Sequence, residues 1–371
     1  MKEKIVVFGF GRQGKKEIKA LERAFEIVAI VDNDKNKAGV FYNGIPVIYA
    51  EEAEHLLIKY QVIVTVQPSF YKVIKEQLEK LGLQEGEQFT DAHSFIPKWF
   101  YDNKKEIDLY KLDMIITTIC NLNCANCNEF LPYYKEKRES SFDEVKNNID
   151  LIFSKIDYIC QFNIIGGETF LHKDLKRILE YLGANYGDKV GYFCIITNGT
   201  VIPTNEVLGM LSRYDIGVSI SDYALSFAYE SKVNELCKKF EENKIEYMRN
   251  QSIEWYDLGF PRNTFFYDED TVCQHMKKCN TLCQVLYCEK IWYCAMACCA
   301  YNGGIFPEGK DDYLDLKAID GTDLQSKKKI LDYCNGNVEN GYLQMCKYCG
   351  GMGVDNDNVV PTAKQYVKNS L

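Results

Sequence analysis

One short group of cysteines constrains this chain more than any other feature of its sequence. Cys120, Cys124 and Cys127 follow the apolar segment Leu112–Thr118 at the spacing C-x3-C-x2-C. The apolar segment predicts a β-strand, and the loop after a strand is where (β/α) barrels carry their chemistry. Three thiolates can ligate three irons of a cubane cluster and leave the fourth iron open for another ligand. The spacing therefore predicts an iron–sulfur site.

The wider distribution of cysteine also indicates metal binding. The chain has 16 cysteines and four histidines, and its N-terminal segment does not read as an export signal. Thiols stay reduced inside a cell, so clustered cysteines favour metal sites over disulfides. None precedes Cys120, and ten lie between residues 273 and 349, which predicts a second site. Structural zinc is the alternative at the first site, but its fourth ligand would be Cys160 or His172, more than 30 residues farther along.

The first 100 residues predict a domain built on a glycine motif. Two short apolar strands and a helix follow one another, and the turn after the first strand carries Gly9, Gly11 and Gly14 in the pattern GxGxxG. In a dinucleotide-binding fold these glycines allow close approach of a pyrophosphate, and an acidic residue ending the second strand, here Asp32, binds a ribose. We expect a Rossmann-like parallel-sheet domain over residues 1–100. A domain that keeps the fold and binds nothing, or serves in dimerisation, is the alternative.

This segment resembles the nucleotide-binding-like domains of bacterial enzymes of sugar-nucleotide and surface-polysaccharide synthesis. The likeness includes the GIPVI sequence that follows the second strand, Gly44–Ile48. It implies that the domain binds either a dinucleotide or the nucleotide part of an activated sugar.

A second alternation of strands and helices follows the segment Pro97–Tyr110, which lacks clear periodicity and which we interpret as a linker. Five or six such units over residues 111–270 predict an α/β partial barrel, (β/α)6 in type. Cysteine and glycine become frequent after about residue 270. We expect residues 271–371 to form a small extension stabilised by metal.

The first cysteine group resembles the signature of the radical S-adenosylmethionine (SAM) superfamily. A second superfamily element, GGE, stands one strand later at Gly166, Gly167 and Glu168. The resemblance implies a catalytic [4Fe–4S] cluster whose open iron binds S-adenosylmethionine (AdoMet), with reductive cleavage to a 5′-deoxyadenosyl radical. Glycines would let backbone carbonyls approach the AdoMet ammonium group, and the glutamate would add a charged acceptor. Superfamily members commonly have an aromatic residue before the third cysteine, where this chain has Asn126.

Polar residues at the ends of later strands are candidates for contacts with the cofactor or the substrate. We predict AdoMet contacts for Thr197, Asn198, Ser219 and Ser221. We predict substrate contacts for Asp222, Tyr223, Trp255 and Asp257. Turn formation by Asn-Gly and ordinary solvation of loops explain the same residues without a ligand.

The second cysteine group lies in the extension. Cys283 and Cys294 flank a probable hairpin, and Cys346 and Cys349 form a C-x2-C pair. The group resembles the twitch extension of radical SAM enzymes, which implies one auxiliary [4Fe–4S] cluster. A zinc site with four cysteines has the same ligand count. The nearby cysteines that compete as ligands are Cys273, Cys279, Cys288, Cys298 and Cys299.

Charge and hydropathy narrow the range of partners. The formal net charge is −9, and a binder of nucleic acid needs clustered Lys and Arg to displace counterions, so nucleic acid is not an expected partner. No apolar run approaches the ~20 residues of a membrane span. We expect a cytoplasmic protein with a small-molecule substrate and an electron donor such as flavodoxin or ferredoxin.

The favoured function is hydrogen abstraction from a small polar substrate, such as a nucleotide-activated sugar or polyol, leading to oxidation, epimerisation or dehydration. Radical SAM maturation of a peptide is a second hypothesis. An NAD-dependent oxidoreductase with structural zinc is a third, and a non-catalytic nucleotide sensor is a fourth.

Overall fold

The computed structural model describes residues 2–259, 262, 264–279, 284–307, 312–353 and 356–366 of the 371-residue chain. The chain divides into two compact units. The first comprises Met1–Tyr110 with Tyr158–Cys160, and the second comprises Lys111–Asp157 with Gln161–Leu371. In the described part of the chain, no helix has the length and apolar character needed to cross a membrane.

The first unit is a parallel sheet with helices. Its strands are β1 (Glu3–Phe8), β2 (Phe25–Asp32), β3 (Phe41–Tyr42), β4 (Ile45–Tyr49), β5 (Gln61–Val64) and β6 (Phe89–Asp91), in the order β3-β4-β2-β1-β5-β6. Its helices are α1 (Arg12–Glu22), α2 (Glu54–Lys59), α3 (Pro68–Lys80) and α4 (Ala92–Lys104). Only β3 pairs antiparallel among the pairings described for this sheet.

Strand β1 shows why the sheet is covered on both faces. Ile5 and Val7 pack in one apolar cluster, whereas Val6 and Phe8 pack in another. Successive side chains of a strand point to opposite faces, so an uninterrupted apolar strand is stable only when both faces are buried. Burial of each such side chain contributes about 1.5–3 kcal/mol. Strand β1 lies between β2 and β5, so the chain first continues on one side of β1 and later crosses to the other side. Such a change of direction opens a crevice at the carboxyl ends of the strands.

The segment predicted as a linker is ordered instead. Helix α4 covers most of it, and β7 begins at Asp108. Asp91 caps α4 by accepting a hydrogen bond from the backbone N–H of Ser94, and Ile96 and Phe100 form its buried face. The interior Pro97 obscured the helical pattern in the sequence, because proline ordinarily ends a helix.

The second unit carries a sheet in the order β11-β10-β9-β8-β7-β13-β14-β15. Its strands, with two more in a separate small sheet, are β7 (Asp108–Thr117), β8 (Tyr158–Gly166), β9 (Val190–Thr197), β10 (Gly217–Asp222), β11 (Tyr247–Gln251), β12 (Glu254–Tyr256), β13 (Val285–Tyr287), β14 (Lys290–Trp292), β15 (Tyr313–Asp315) and β16 (Val359–Pro361). Its helices are α5 (Phe142–Phe153), α6 (Leu175–Tyr186), α7 (Asn205–Arg213), α8 (Glu230–Glu242), α9 (Glu269–Lys278), α10 (Ala295–Asn302) and α11 (Leu324–Cys334). Helices separate β7 to β11 along the chain, as in a partial barrel.

The C-terminal extension is continuous with this sheet, because β13 pairs parallel to β7. Strands β13 and β14 form a hairpin whose two-residue turn has positive φ at Cys288 (50°) and Glu289 (61°). Such a turn matches the twist of the strands it joins. Cys288 therefore occupies a turn position. Strands β12 and β16 pair antiparallel in a separate two-stranded sheet.

Candidate functional site

The three cysteines of the first group line one cavity. The loop that carries Cys120, Cys124 and Cys127 follows the end of β7 and borders a cavity of about 330 Å³. The backbone N–H of Leu122 donates to Cys120 Sγ at 3.4 Å. Burial raises the pKa of the Cys120 thiol to about 11 and raises the pKa of Cys124. The thiols therefore need a bound metal to be held as thiolates at neutral pH.

The donor set of the described residues fits an iron–sulfur cluster. Three cysteines of one loop line the same cavity, and thiolates are the usual protein ligands of such clusters. Three soft donors that open on one cavity fit a [4Fe–4S] cluster with one unligated iron.

Gly166 and Gly167 are required by the cysteine loop that packs against them. A Cβ on Gly166, whose φ is +156°, would lie 2.3 Å from the carbonyl oxygen of Thr117. A Cβ on Gly167 would lie 2.3 Å from the carbonyl oxygen of Ile119 and 2.9 Å from the Cβ of Cys120. The Gly167 N–H donates to Thr117 O at 2.9 Å. The glycine pair therefore sets the position of the strand end from which the cysteine loop departs.

Glu168 has a different environment from the one expected. Its side chain is fully buried and does not line the cavity. One carboxylate oxygen accepts from the Thr197 hydroxyl at 2.8 Å, and the other accepts from the Asn198 N–H at 2.8 Å. The Phe170 N–H also donates to this carboxylate, at 3.0 Å. These three donors join the ends of β8 and β9 through Glu168, and the direct contact of Glu168 with AdoMet stays a prediction.

Asn198 extends this connection to the cysteine loop. Its Nδ2 donates to Asn121 Oδ1 at 3.1 Å and lies 3.6 Å from Cys120 Sγ. Thr197, Asn198 and Ser221 all line the cavity. Ser219 does not line it and instead accepts a hydrogen bond from Asn250 Nδ2 at 2.9 Å.

The four predicted substrate residues divide into two pairs. Tyr223 and Trp255 line the cavity, with ring centroids 5.4 Å apart in an edge-to-face arrangement. Asp222 is fully buried and binds Arg249 and Gln251, while Asp257 accepts from the Gly259 N–H at 2.8 Å and pairs with Arg262. Neither aspartate lines this cavity. Ion pairs within the chain hold both aspartates, and their contact with a substrate stays a prediction.

Four polar residues that no sequence motif marks also line the cavity, and we call them its polar floor. Lys111, Asp113, Glu129 and Asn163 line it, and Asn163 Nδ2 donates to Asp113 Oδ1 at 2.6 Å. Lys111 Nζ lies 3.4 Å from an Asp113 oxygen. The available signal was the alternation of Lys111 and Asp113 within the apolar strand β7, which places both on one face.

A larger cavity of about 540 Å³ adjoins the first one and shares Asn128 and Trp255 with it. Its remaining lining is mainly apolar and includes Leu258, Met352 and Val359. Asn126, where an aromatic residue was expected, lines this outer cavity.

The glycine motif of the first unit borders a crevice of about 410 Å³ at the ends of β1, β2 and β5. A Cβ on Gly14 would lie 2.0 Å from Gly9 O, whereas a Cβ on Gly11 would meet no atom of the described residues within 4 Å. Asp32 lies in the crevice and accepts from the Phe10 N–H at 2.7 Å, with Lys37 Nζ at 3.2 Å. The tight turn is thus built into the fold, and the space beside Gly11 is open.

Comparison with protein families distinguishes the two units. Residues 1–88 match the family model described as C2185-like, N-terminal, and residues 114–242 match the Radical SAM superfamily model. The second match contains the three cysteines, the GGE element and the ends of β8, β9 and β10. Residues 114–242 form a radical SAM domain.

Individual relatives match parts of the chain. An uncharacterized protein of Methanocaldococcus jannaschii is 28% identical over 130 residues, which cover 35% of this chain and 42% of that protein. The antilisterial bacteriocin subtilosin biosynthesis protein AlbA of Bacillus subtilis is 31% identical over 113 residues, which cover 28% of this chain and 22% of that protein. The aligned region thus spans less than half the length of these curated relatives. The structure of BtrN in complex with AdoMet and 2-DOIA aligns over 68% of this chain and 99% of that chain, at 15% identity and a TM-score of 0.44.

Four cysteines line a second, smaller cavity beside the radical SAM domain. They are Cys279, Cys294, Cys346 and Cys349. The backbone N–H groups of Gly351 and Met352 donate to Cys349 Sγ and Cys279 Sγ, each at 3.4 Å. Cys283, predicted as a ligand, lies outside the described residues. The structure thus places Cys279 beside the three other predicted cysteines, and Met296 lines both this cavity and the one lined by the first cysteine group.

Proposed function

We propose that the chain is a radical SAM enzyme that abstracts a hydrogen atom from a small polar substrate, such as a nucleotide-activated sugar or polyol. The proposal rests on one observation. The three cysteines of the first group and four polar residues, Lys111, Asp113, Glu129 and Asn163, line the same cavity. A [4Fe–4S] cluster on Cys120, Cys124 and Cys127 would supply the electron that cleaves AdoMet to methionine and a 5′-deoxyadenosyl radical.

The residues of the chain would position the cofactor. Gly166 and Gly167 line the cavity together with Cys120, and the Asn198 amide, which donates to Asn121, lies beside that cysteine. Tyr223 and Trp255 present aromatic surfaces to the cavity. A reactive intermediate formed there would contact these aromatic side chains on one wall of the cavity.

The floor of the cavity supports a polar substrate. One carboxyl oxygen of Glu129 is buried and has no hydrogen-bond partner among the residues that the structure describes. Burial, with a smaller contribution from Asp113, raises the Glu129 pKa to about 8. A buried polar atom without a partner costs about 1–3 kcal/mol, which a bound hydroxyl or amino group would recover.

Anaerobic reconstitution with iron and sulfide, followed by incubation with AdoMet and dithionite, tests the proposed chemistry. We expect release of 5′-deoxyadenosine. A protein that holds stoichiometric zinc and turns over nicotinamide in air would instead support an NAD-dependent oxidoreductase. Absence of AdoMet cleavage by a chain with an intact cluster would refute the proposal.

The Glu129→Gln variant tests the role of the floor in substrate binding. Nucleotide sugars and cyclic polyols are screened for compounds that stimulate 5′-deoxyadenosine formation by the wild-type enzyme. We expect the variant to retain its unstimulated rate within about twofold and to lose about two- to tenfold of the stimulation, because a Glu129 carboxyl whose pKa is about 8 is largely protonated near neutral pH and makes a hydrogen bond between neutral groups. Equal stimulation of the wild-type and variant enzymes would show that Glu129 does not bind the substrate.

The outer cavity favours peptide maturation as a second candidate function. Its apolar lining and the neighbouring two-stranded sheet suit an extended peptide, which can add a strand to an exposed edge. The likeness of one segment to a bacteriocin biosynthesis protein is consistent with this candidate. Stimulation of AdoMet cleavage by a peptide and by none of the sugars or polyols would select it.

We further propose that the crevice of the first unit binds a nucleotide. Arg12 and Lys37 supply positive charge for phosphate, and Phe70 and Val73, each 60% exposed, supply an apolar wall for a base. Isothermal titration of the full chain with NAD and with UDP-glucose tests this binding and separates the two ligand classes.

A pair of glycine variants tests the same crevice. Gly11→Leu should keep the thermal stability within a few degrees, because its Cβ meets no atom, and should weaken nucleotide binding by more than about tenfold by filling the space. Gly14→Ala should lower stability, because its Cβ would overlap Gly9 O at 2.0 Å. Unchanged affinity in Gly11→Leu would contradict the proposed site.

A further inference from the structure

The C-terminal segment of the described chain pairs with the catalytic cysteine loop. We call residues 362–366 the C-terminal strap. The Ala125 N–H donates to Lys364 O at 2.7 Å, and the Tyr366 N–H donates to Asn123 O at 2.5 Å. Cys124 and Gln365 face each other in an antiparallel bridge. The middle cysteine of the motif is therefore held by a segment more than 200 residues away in sequence.

The side chain of Gln365 is aimed at the cysteine sulfur. Its Oε1 accepts from the Asn123 N–H at 2.8 Å. Its Nε2 donates to Ala363 O at 2.7 Å and lies 3.5 Å from Cys124 Sγ. An amide is oriented by its hydrogen-bond partners, and here a donor faces the oxygen and a carbonyl faces the nitrogen. Both partners thus direct the N–H group of Gln365 toward Cys124.

A hydrogen bond to a cluster thiolate changes the energy of electron transfer. The bond is stronger when the cluster carries the additional negative charge of its reduced state, so it raises the reduction potential. Cys124 is only 7% exposed, so water competes weakly for its sulfur. The other sulfurs receive donors from nearby loops, such as the Leu122 N–H on Cys120.

We propose that Gln365 is a positioning residue of the catalytic cluster, which anchors the cysteine loop and raises the cluster's reduction potential through its N–H···S bond to Cys124. This inference rests on the proposed function, because it requires a cluster on the three cysteines. It adds a residue outside the radical SAM match of residues 114–242. The C-terminal strap would thus connect the extension to the centre that receives the electron.

Two variants distinguish the anchoring of the cysteine loop by Gln365 from its effect on the reduction potential of the cluster. Gln365→Met removes both the acceptor and the donor, whereas Gln365→Glu keeps an acceptor for the Asn123 N–H and removes the N–H donor to sulfur. Tyr366→Phe is the matched control, because it keeps the strap's backbone pairing and the ring contact with Tyr133. Iron content is measured first, and the potential is then obtained by redox titration of the cluster whose electron paramagnetic resonance signal changes with AdoMet.

We expect both Gln365 variants to shift the equilibrium constant for one-electron reduction about tenfold toward the oxidised cluster, which is about 59 mV. Gln365→Glu should keep wild-type iron content and show the larger shift, because its charge further disfavours reduction. Wild-type potentials in both variants at full iron content would overturn the proposal, as would a shift of equal size in Tyr366→Phe. The titration needs no AdoMet cleavage, so failure of the proposed function would be detected separately by the absence of 5′-deoxyadenosine.

Discussion

Replacement of Cys127 by serine is expected to abolish 5′-deoxyadenosine formation and to remove the iron of the catalytic site. Burial raises the pKa of this thiol, and the nearby backbone N–H groups of Glu129 and Leu131 act in the opposite direction by stabilising the thiolate. Serine has the size of cysteine, but its hydroxyl is a poor ligand for the irons of a cluster. Loss of a group that merely supports a metal ligand costs about 10- to 100-fold, so loss of the ligand should exceed this range.

Cys237→Ala is the matched control. Cys237 lies in α8 of the same unit and is 9% exposed, but it lines neither cysteine cavity. Iron, sulfide and 5′-deoxyadenosine are measured after identical anaerobic reconstitution. We expect Cys237→Ala to match the wild type, and Cys127→Ser to retain at most the iron of the second cysteine site. Full AdoMet cleavage by Cys127→Ser would show that this cysteine does not hold the cluster.

Local patterns in the sequence were sufficient to predict the fold class. Each pattern that was used lies within a short stretch of the sequence. These patterns are the apolar runs of β1 and β7, the glycine motif after β1 and the cysteine loop after β7. The mixed α/β architecture with its parallel sheets follows from these runs, because the alternation of strand and helix is itself local. Pro97 shows the limit of this approach, since a buried helical face outweighs the disfavoured proline there.

Contacts between distant segments could not be predicted in the same way. The cysteine loop pairs with a segment about 240 residues later, through Gln365 and its neighbours. No local pattern marks such a pairing, because strap residues 362–366 carry neither a periodicity nor a motif. The same reason explains why spacing alone could not select Cys279 among the competing cysteines, although it lines the second cavity with Cys294, Cys346 and Cys349.

The chemical role of a motif residue also depends on its surroundings. The sequence places Glu168 directly after two glycines and suggests a ligand for AdoMet, whereas the fold encloses its carboxylate between the ends of two strands. Glu129 shows the reverse case. Nothing in its sequence position predicts a function, yet one of its oxygens is buried beside the cavity and has no partner in the described part of the chain.

Substitution of Glu168 by glutamine is expected to destabilise the protein by about 2–4 kcal/mol, because a donor replaces one of two oxygens that both accept hydrogen bonds. If the amide keeps its oxygen toward Thr197 and Phe170, its NH2 group faces the Asn198 N–H, and two donors then oppose each other. Rotation of the amide would instead oppose the other donors. The midpoint of urea unfolding measures the loss.

Glu180→Gln provides the comparison, because Glu180 is exposed on α6 and such changes alter stability by less than about 0.5 kcal/mol. AdoMet affinity is measured in parallel. If Glu168 acts only by joining the strand ends, the variant should lose thermodynamic stability. Its AdoMet affinity should fall as well, because Asn198 then loses its position beside Cys120. A variant with wild-type stability and much weaker AdoMet binding would show that the carboxylate contacts the cofactor directly.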